Sequence, residues 1–113
     1  MRVLVVDDDP DVLAVIEEML GTEGFEVTGA GSADRARVRL AAKDYDLLLI
    51  DAPQSLLSEI ALAHEVCAGG TPVLMMPAGV DQVPRLEAAG LSHIVKPFTT
   101  GGLLAAIGAV MPA

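Results

Sequence analysis

The chain has no tryptophan, one tyrosine and two phenylalanines, so aromatic residues make up only 3% of its 113 residues. With so few rings, a core must come from aliphatic side chains, alanine and methionine, which supply most of the 52% hydrophobic content. Small branched side chains suit a parallel sheet covered on both faces. Cysteine is nearly absent as well. The lone Cys67 excludes an internal disulfide, and its place in an apolar helical stretch predicts a small buried thiol without chemistry. Basic residues are few, since 7 Lys and Arg face 16 Asp and Glu and leave a formal charge of -9. That balance repels nucleic-acid phosphates and anionic membranes, and it favours metal cations and basic protein surfaces as partners. No apolar run approaches the roughly 20 residues of a membrane span, and the first residues carry no secretory pattern, so a cytoplasmic location is expected.

What the chain does have is a regular alternation. "RVLVV" (2 to 6) and "DLLLI" (46 to 50) are unbroken apolar runs, as strands buried on both faces should be. "FEVTGA" (25 to 30), "PVLMM" (72 to 76) and "SHIV" (92 to 95) complete an expected five. Between them, Val12, Leu13, Ile16, Met19 and Leu20 form one apolar stripe of a first helix, and residues 32 to 45 read as a second, capped by Ser32. Residues 55 to 70 give a third helix, ending at paired glycines, and residues 99 to 111 a last one, opened by threonines. In "GVDQVPRLEAAG" (79 to 90), Pro84 allows at best a short turn of helix to start there. Strands alternating with helices predict one α/β domain over residues 1 to 113, with a parallel sheet, right-handed crossovers and helices on both faces.

In such a sheet, ligands gather at the carboxyl ends of the strands. Asp7 and Asp8 follow the first strand there, Asp51 the third and Lys96 the fifth. Crowded carboxylates repel one another, and the simplest compensation is a hard divalent cation such as Mg2+, which prefers oxygen ligands. Lys96 could neutralise further charge or hold an incoming anion. Asp9, followed by Pro10, reads instead as the N-cap of the first helix.

At these residues the chain resembles the receiver domain of two-component response regulators, over essentially its whole length. The acid pair after strand one, the lone Asp after strand three and Lys-Pro-Phe after strand five carry the resemblance jointly. It implies a flavodoxin-like, doubly wound sheet of five strands in the order 2-1-3-4-5. It also implies a signalling phosphoacceptor and not a metabolic enzyme. Asp51 would accept a phosphoryl group from a histidine kinase or phosphotransfer protein. Asp8 and Asp51, with Asp7 assisting and the Pro53 backbone carbonyl, would hold Mg2+, Lys96 would meet the phosphoryl oxygen, and the Lys96-Pro97 bond would be cis.

Two positions depart from the family pattern. Where the family carries a Ser or Thr after strand four this chain has Pro77, which offers neither a hydroxyl nor an N–H, although Ala78 still offers its amide. The aromatic switch position is His93. Activation switching is therefore expected to be atypical. The alternative is a pseudo-receiver that binds its partner whatever its phosphorylation state. A phosphatase built on the D-x-D of Asp7 and Asp9 fits less well, because the chain has little room for a substrate pocket. From Pro97 to Ala113 no residue is charged. The face of the last helix formed by Ala105, Ala106, Gly108 and Ala109 is expected to meet an effector or a second copy.

Overall fold

The computed structural model describes residues 1–52 and 57–112. Its parallel sheet is formed by β1 (Arg2–Val6), β2 (Glu26–Ala30), β3 (Leu47–Ala52) and β4 (Val73–Pro77) in the order β2-β1-β3-β4. Register is set by apolar partners, with Val5 opposite Leu49 and Leu49 opposite Leu74. Side chains alternate across a strand, so Val3, Val5, Leu47 and Leu49 enter one core while Leu4, Val6, Leu48 and Ile50 enter the other. The first core is closed by α1 (Pro10–Gly21) and α5 (Thr100–Val110), through Ile16, Leu20, Leu103 and Ile107. The second is closed by α2 (Ala33–Ala42), α3 (Leu57–Ala68) and α4 (Val83–Ala88), through Ala36, Leu62 and Leu86. Burying both faces explains why these strands read as continuous apolar runs and not as alternating ones.

The expected caps are in place. The Asp9 carboxylate accepts from the Asp11 amide at 2.9 Å, with Pro10 opening α1. Ser32 accepts from the Arg35 amide at 3.2 Å, and Thr99 from the Gly102 amide at 3.0 Å. Each satisfies an amide that the first helical turn leaves without a partner. The fourth helix is short: Pro84 lies in its first turn, a 3-10 turn at Val80–Gln82 leads into it, and Gly90, with φ of 72°, follows its end.

The expected fifth strand is a correction. Residues 92 to 96 run beside β4, with the Met75 amide donating to the Ser92 carbonyl and the Ile94 amide to the Met75 carbonyl, both at 2.9 Å. These bonds make one isolated bridge, between Met75 and His93, and the sheet has four strands. The next rung would pair residue 77 with Val95. Half of it exists, since the Lys96 amide donates to the Pro77 carbonyl at 2.8 Å. The other half needs an N–H at residue 77, and proline has none. Pro77 thus cuts the ladder short after a single bridge.

Cys67 also departs from expectation, because its position on α3 is exposed. Partial burial still raises the thiol's pKa above the ordinary 9.0. His64, on the same helix, lies with Nε2 3.0 Å from the Ala89 carbonyl at the end of α4 and so ties α3 to α4.

Candidate functional site at the carboxyl edge of the sheet

Strand order brings the acidic residues together. Asp7 leaves β1 with its amide donating to the Ala30 carbonyl of β2 at 3.0 Å, which fixes it at the sheet edge. Asp51 is the penultimate residue of β3, opposite Met76 of β4. The backbone of Lys96 is held by Pro77, as described above, and its side chain reaches back across β4 and β3. Lys96 Nζ donates to Asp7 Oδ2 at 2.8 Å and to Asp51 Oδ1 at 2.9 Å. Asp7 is only 2% exposed, and its second oxygen, Oδ1, accepts from the Asp9 amide at 3.0 Å. Its two oxygens are thereby committed to protein donors.

Asp8 is exposed, at the mouth of the cluster. One carboxylate oxygen from each of Asp7, Asp8 and Asp51 falls within 4.8 Å of the others. Among the described residues, one ammonium, that of Lys96, meets this group of three carboxylates, through Asp7 and Asp51, so the cluster keeps an excess of negative charge. The consequence is visible at Asp51, whose side chain is 17% exposed. Burial raises its pKa, the Lys96 hydrogen bond and charge pull it down, and the Asp7 and Asp8 charges push it up, with a net rise. At Lys96, burial disfavours the ammonium, but hydrogen bonds and charge from Asp7 and Asp51 outweigh it and the pKa rises.

A cleft of about 270 Å³ opens on the cluster, lined in part by Asp7, Asp8 and Asp51. Asp34 at the start of α2 and Glu59 on α3 extend its acidic rim. Neither stands out in the sequence, because an acidic residue in a first helical turn is ordinary. The donor set, three clustered carboxylates with no thiol or imidazole among them, matches the oxygen preference of a hard divalent cation. Pro53, expected to lend a carbonyl to that cation, lies outside the described residues. The Lys96-Pro97 peptide bond is cis.

Opposite Lys96, Pro77 is buried at the end of β4 and Ala78 starts the loop into α4. The Ala78 amide does not face an open site. It donates to Oε1 of Gln82 at 3.1 Å, while Gln82 Nε2 donates to the Ala52 carbonyl at 2.7 Å. Gln82 is only 8% exposed and escaped the sequence analysis. Its one available signal was a long polar side chain five residues after the position that lacks a hydroxyl. His93 is half-buried beside Met75.

The fold and this cluster together define a two-component signalling module. A family model of the response regulator receiver domain matches residues 3–108, and the chain belongs to that family. Among curated relatives, the transcriptional regulatory protein PrrA of Mycobacterium tuberculosis is 34% identical over 115 residues, covering 97% of this chain and 49% of its own length. The DNA-binding response regulator MtrA of Mycolicibacterium smegmatis is 31% identical over 112 residues, covering 96% of this chain and 49% of its own. The chain thus spans about half the length of the curated relatives it matches. Among solved structures, a response regulator receiver protein from Burkholderia phymatum superposes with a TM-score of 0.83 at 27% identity, over 99% of this chain and 97% of that one. TrrA from Thermotoga maritima, solved in complex with Mg(2+)-BeF, superposes with a TM-score of 0.85 at 24% identity, over 97% of this chain and 98% of that one. At that identity the likeness to TrrA speaks for the flavodoxin-like fold alone. Among the described residues, no helix is long and apolar enough to cross a membrane.

Proposed function

We propose that residues 1 to 113 form one receiver domain that accepts a phosphoryl group on Asp51 from a histidine kinase or phosphotransfer protein, with Mg2+ as cofactor. The observation that carries this is the Lys96 ammonium bonded to both Asp7 and Asp51, two of the carboxylates that line the acidic cleft. In the transfer, an Asp51 carboxylate oxygen bonds to phosphorus as the donor's phosphorus–nitrogen bond breaks, and the electron pair leaves with the imidazole. An anion attacking an anion needs positive charge at the site. Lys96 supplies one such charge, already desolvated and 22% exposed. Asp8 and Asp51 would hold the cation directly, and Asp7, with both oxygens taken by protein donors, supports them from behind. A divalent cation held there would supply further neutralisation of the transferring group's charge.

Mg2+ is further supported by the fit of the donor set, and TrrA, whose fold this chain shares, was solved with Mg(2+)-BeF. The acidic charge favours a basic docking surface on the kinase and disfavours direct contact of this domain with nucleic acid or an anionic membrane. Output passes instead to a protein partner, and the exposed Ala105, Gly108 and Ala109 of α5 are the face we assign to it. Ala106, expected on that face, packs against the core instead. A cytoplasmic location fits this role.

The test is incubation of the chain with a small-molecule phosphodonor and Mg2+, followed by intact mass measurement. The expected product is one phosphoryl adduct, absent in Asp51→Asn and absent when the cation is chelated. A wild-type chain that never gains the adduct would leave the phosphorylation-independent interaction module as the better account.

A further inference from the structure

The departure at Pro77 removes the side chain that could draw the β4–α4 loop toward a phosphoryl group, yet the loop is not left loose. Gln82 comes from the 3-10 turn beyond the loop, and its side chain runs back beneath it. One end takes the Ala78 amide at 3.1 Å and the other reaches the Ala52 carbonyl, next to Asp51, at 2.7 Å. Only one orientation of the carboxamide serves both partners, because its oxygen must accept from an N–H and its nitrogen must donate to a carbonyl. Gln82 is 8% exposed, and its side chain provides no helix cap, although it immediately precedes α4. A buried carboxamide with both ends satisfied is costly to displace.

We propose that Gln82 is a latch that holds the β4–α4 loop against the end of β3 and competes with the phosphoryl group for the Ala78 amide. Pro77 has no N–H, so Ala78 carries the first backbone donor after β4. In the resting chain that donor is spent on Gln82. An anion on Asp51 gains it only if Gln82 lets go, so the latch sets a threshold for movement at the start of α4. This inference rests on Asp51 as the phosphoacceptor, but the latch itself can be tested without it. Gln82 acts through the Ala78 amide and is therefore a positioning residue.

The test compares wild type with Gln82→Met, which keeps length but loses both bonds, and Gln82→Asn, which is too short to span both partners. In the absence of any ligand, amide hydrogen exchange at Ala78 should rise about tenfold in both variants, the factor expected for loss of one protecting hydrogen bond. Unchanged exchange in folded variants overturns the latch. With Mg2+ and beryllofluoride as the phosphoryl mimic, both variants should bind severalfold more tightly than wild type. The Ala78 amide resonance should respond to the mimic more strongly in the variants. Equal or weaker binding, with wild type binding measurably, overturns the competition. If no form binds the mimic, the phosphoacceptor reading has failed, and the exchange rate alone decides whether Gln82 is a latch. Should Gln82→Met not fold, Gln82→Asn carries the same comparison.

Discussion

At the scale of residues, the site is a balance of charges that one lysine does not complete. Asp51 has a raised pKa, so the folded state binds its proton more tightly than the unfolded chain does. Stability is therefore lost as pH rises from the ordinary carboxylate value of 3.8 through the raised one. Asp51→Asn removes that loss while leaving Lys96 its bond to Asp7. We expect it to raise the melting temperature at neutral pH by roughly 4–8 °C, the shift that follows from about 1 kcal/mol in a domain near this size. A thermal unfolding series without divalent cation, started below the ordinary value of 3.8 and carried to pH 7, would show the gain growing as pH rises through the raised one. Lys96→Met does the reverse, because it strands the buried Asp7 carboxylate beside Asp51. A loss of about 3–5 kcal/mol is expected, as for a buried ion pair deprived of one partner. Denaturant unfolding should show that loss shrinking as acid protonates Asp51. The wild-type lysine contribution is present below the ordinary lysine value of 10.5 and disappears only as pH climbs through its raised pKa.

At the scale of elements, Pro77 affects both the sheet and the site. Pro77→Thr would supply the missing donor to the Ile94 carbonyl and extend the pairing of residues 92 to 96 with β4. The new hydrogen bond is worth about 0.5–1.5 kcal/mol, but loss of proline's restraint on the unfolded chain costs about 0.4–1 kcal/mol, so the two nearly cancel. Global stability should hardly move, and the informative measurement is local. Amide exchange at Ile94 and Lys96, which already bond to β4, should slow as the ladder closes around them. Unchanged exchange there would mean that something other than the missing N–H keeps the fifth strand from forming.

The same proline shows where sequence reading succeeded and where it stopped. Asp7, Asp8, Asp51 and Lys96 were legible because strand order alone sends the ends of β1, β3 and the segment before Pro97 to one edge. Asp9, Ser32 and Thr99 were legible because capping is a local pattern of a few residues. The missing N–H of Pro77 was plain in the sequence, but its effect on the sheet depends on which side of β4 that position faces, and that is set by register. Gln82 was hidden for a related reason. A glutamine in a short turn has no characteristic spacing, and its two partners, at positions 52 and 78, meet it only after β3 and β4 have paired. Cys67 was misjudged because α3 is apolar enough along its length to conceal which side faces water.

At the scale of the whole molecule, the formal charge of -9 and the acidic cleft make stability depend on cations. Mg2+ bound to the folded state alone should raise stability by about 2.7 kcal/mol at a hundredfold excess over its dissociation constant. A melting series in MgCl2, against a NaCl series of equal ionic strength, separates binding from general screening. Asp8→Asn should abolish most of the difference between the two series. For the outer face of α5, Ala109→Glu is expected to leave the fold intact, since Ala109 is exposed, while weakening self-association or partner binding measured by sedimentation.

The uncharged stretch from Pro97 onward, which includes all of α5, has an electrical consequence beyond any contact it makes. Every formal side-chain charge is carried by the preceding residues, and Asp7, Asp8, Asp34, Asp51 and Glu59 line one cleft at the carboxyl edge. When a basic surface approaches, charge placed unevenly in this way turns a molecule as well as pulling it. The acidic cleft would be drawn toward such a surface, and the uncharged α5 would feel little of that attraction. If that surface belongs to the phosphodonor we propose, the α5 face would stay free for the next partner.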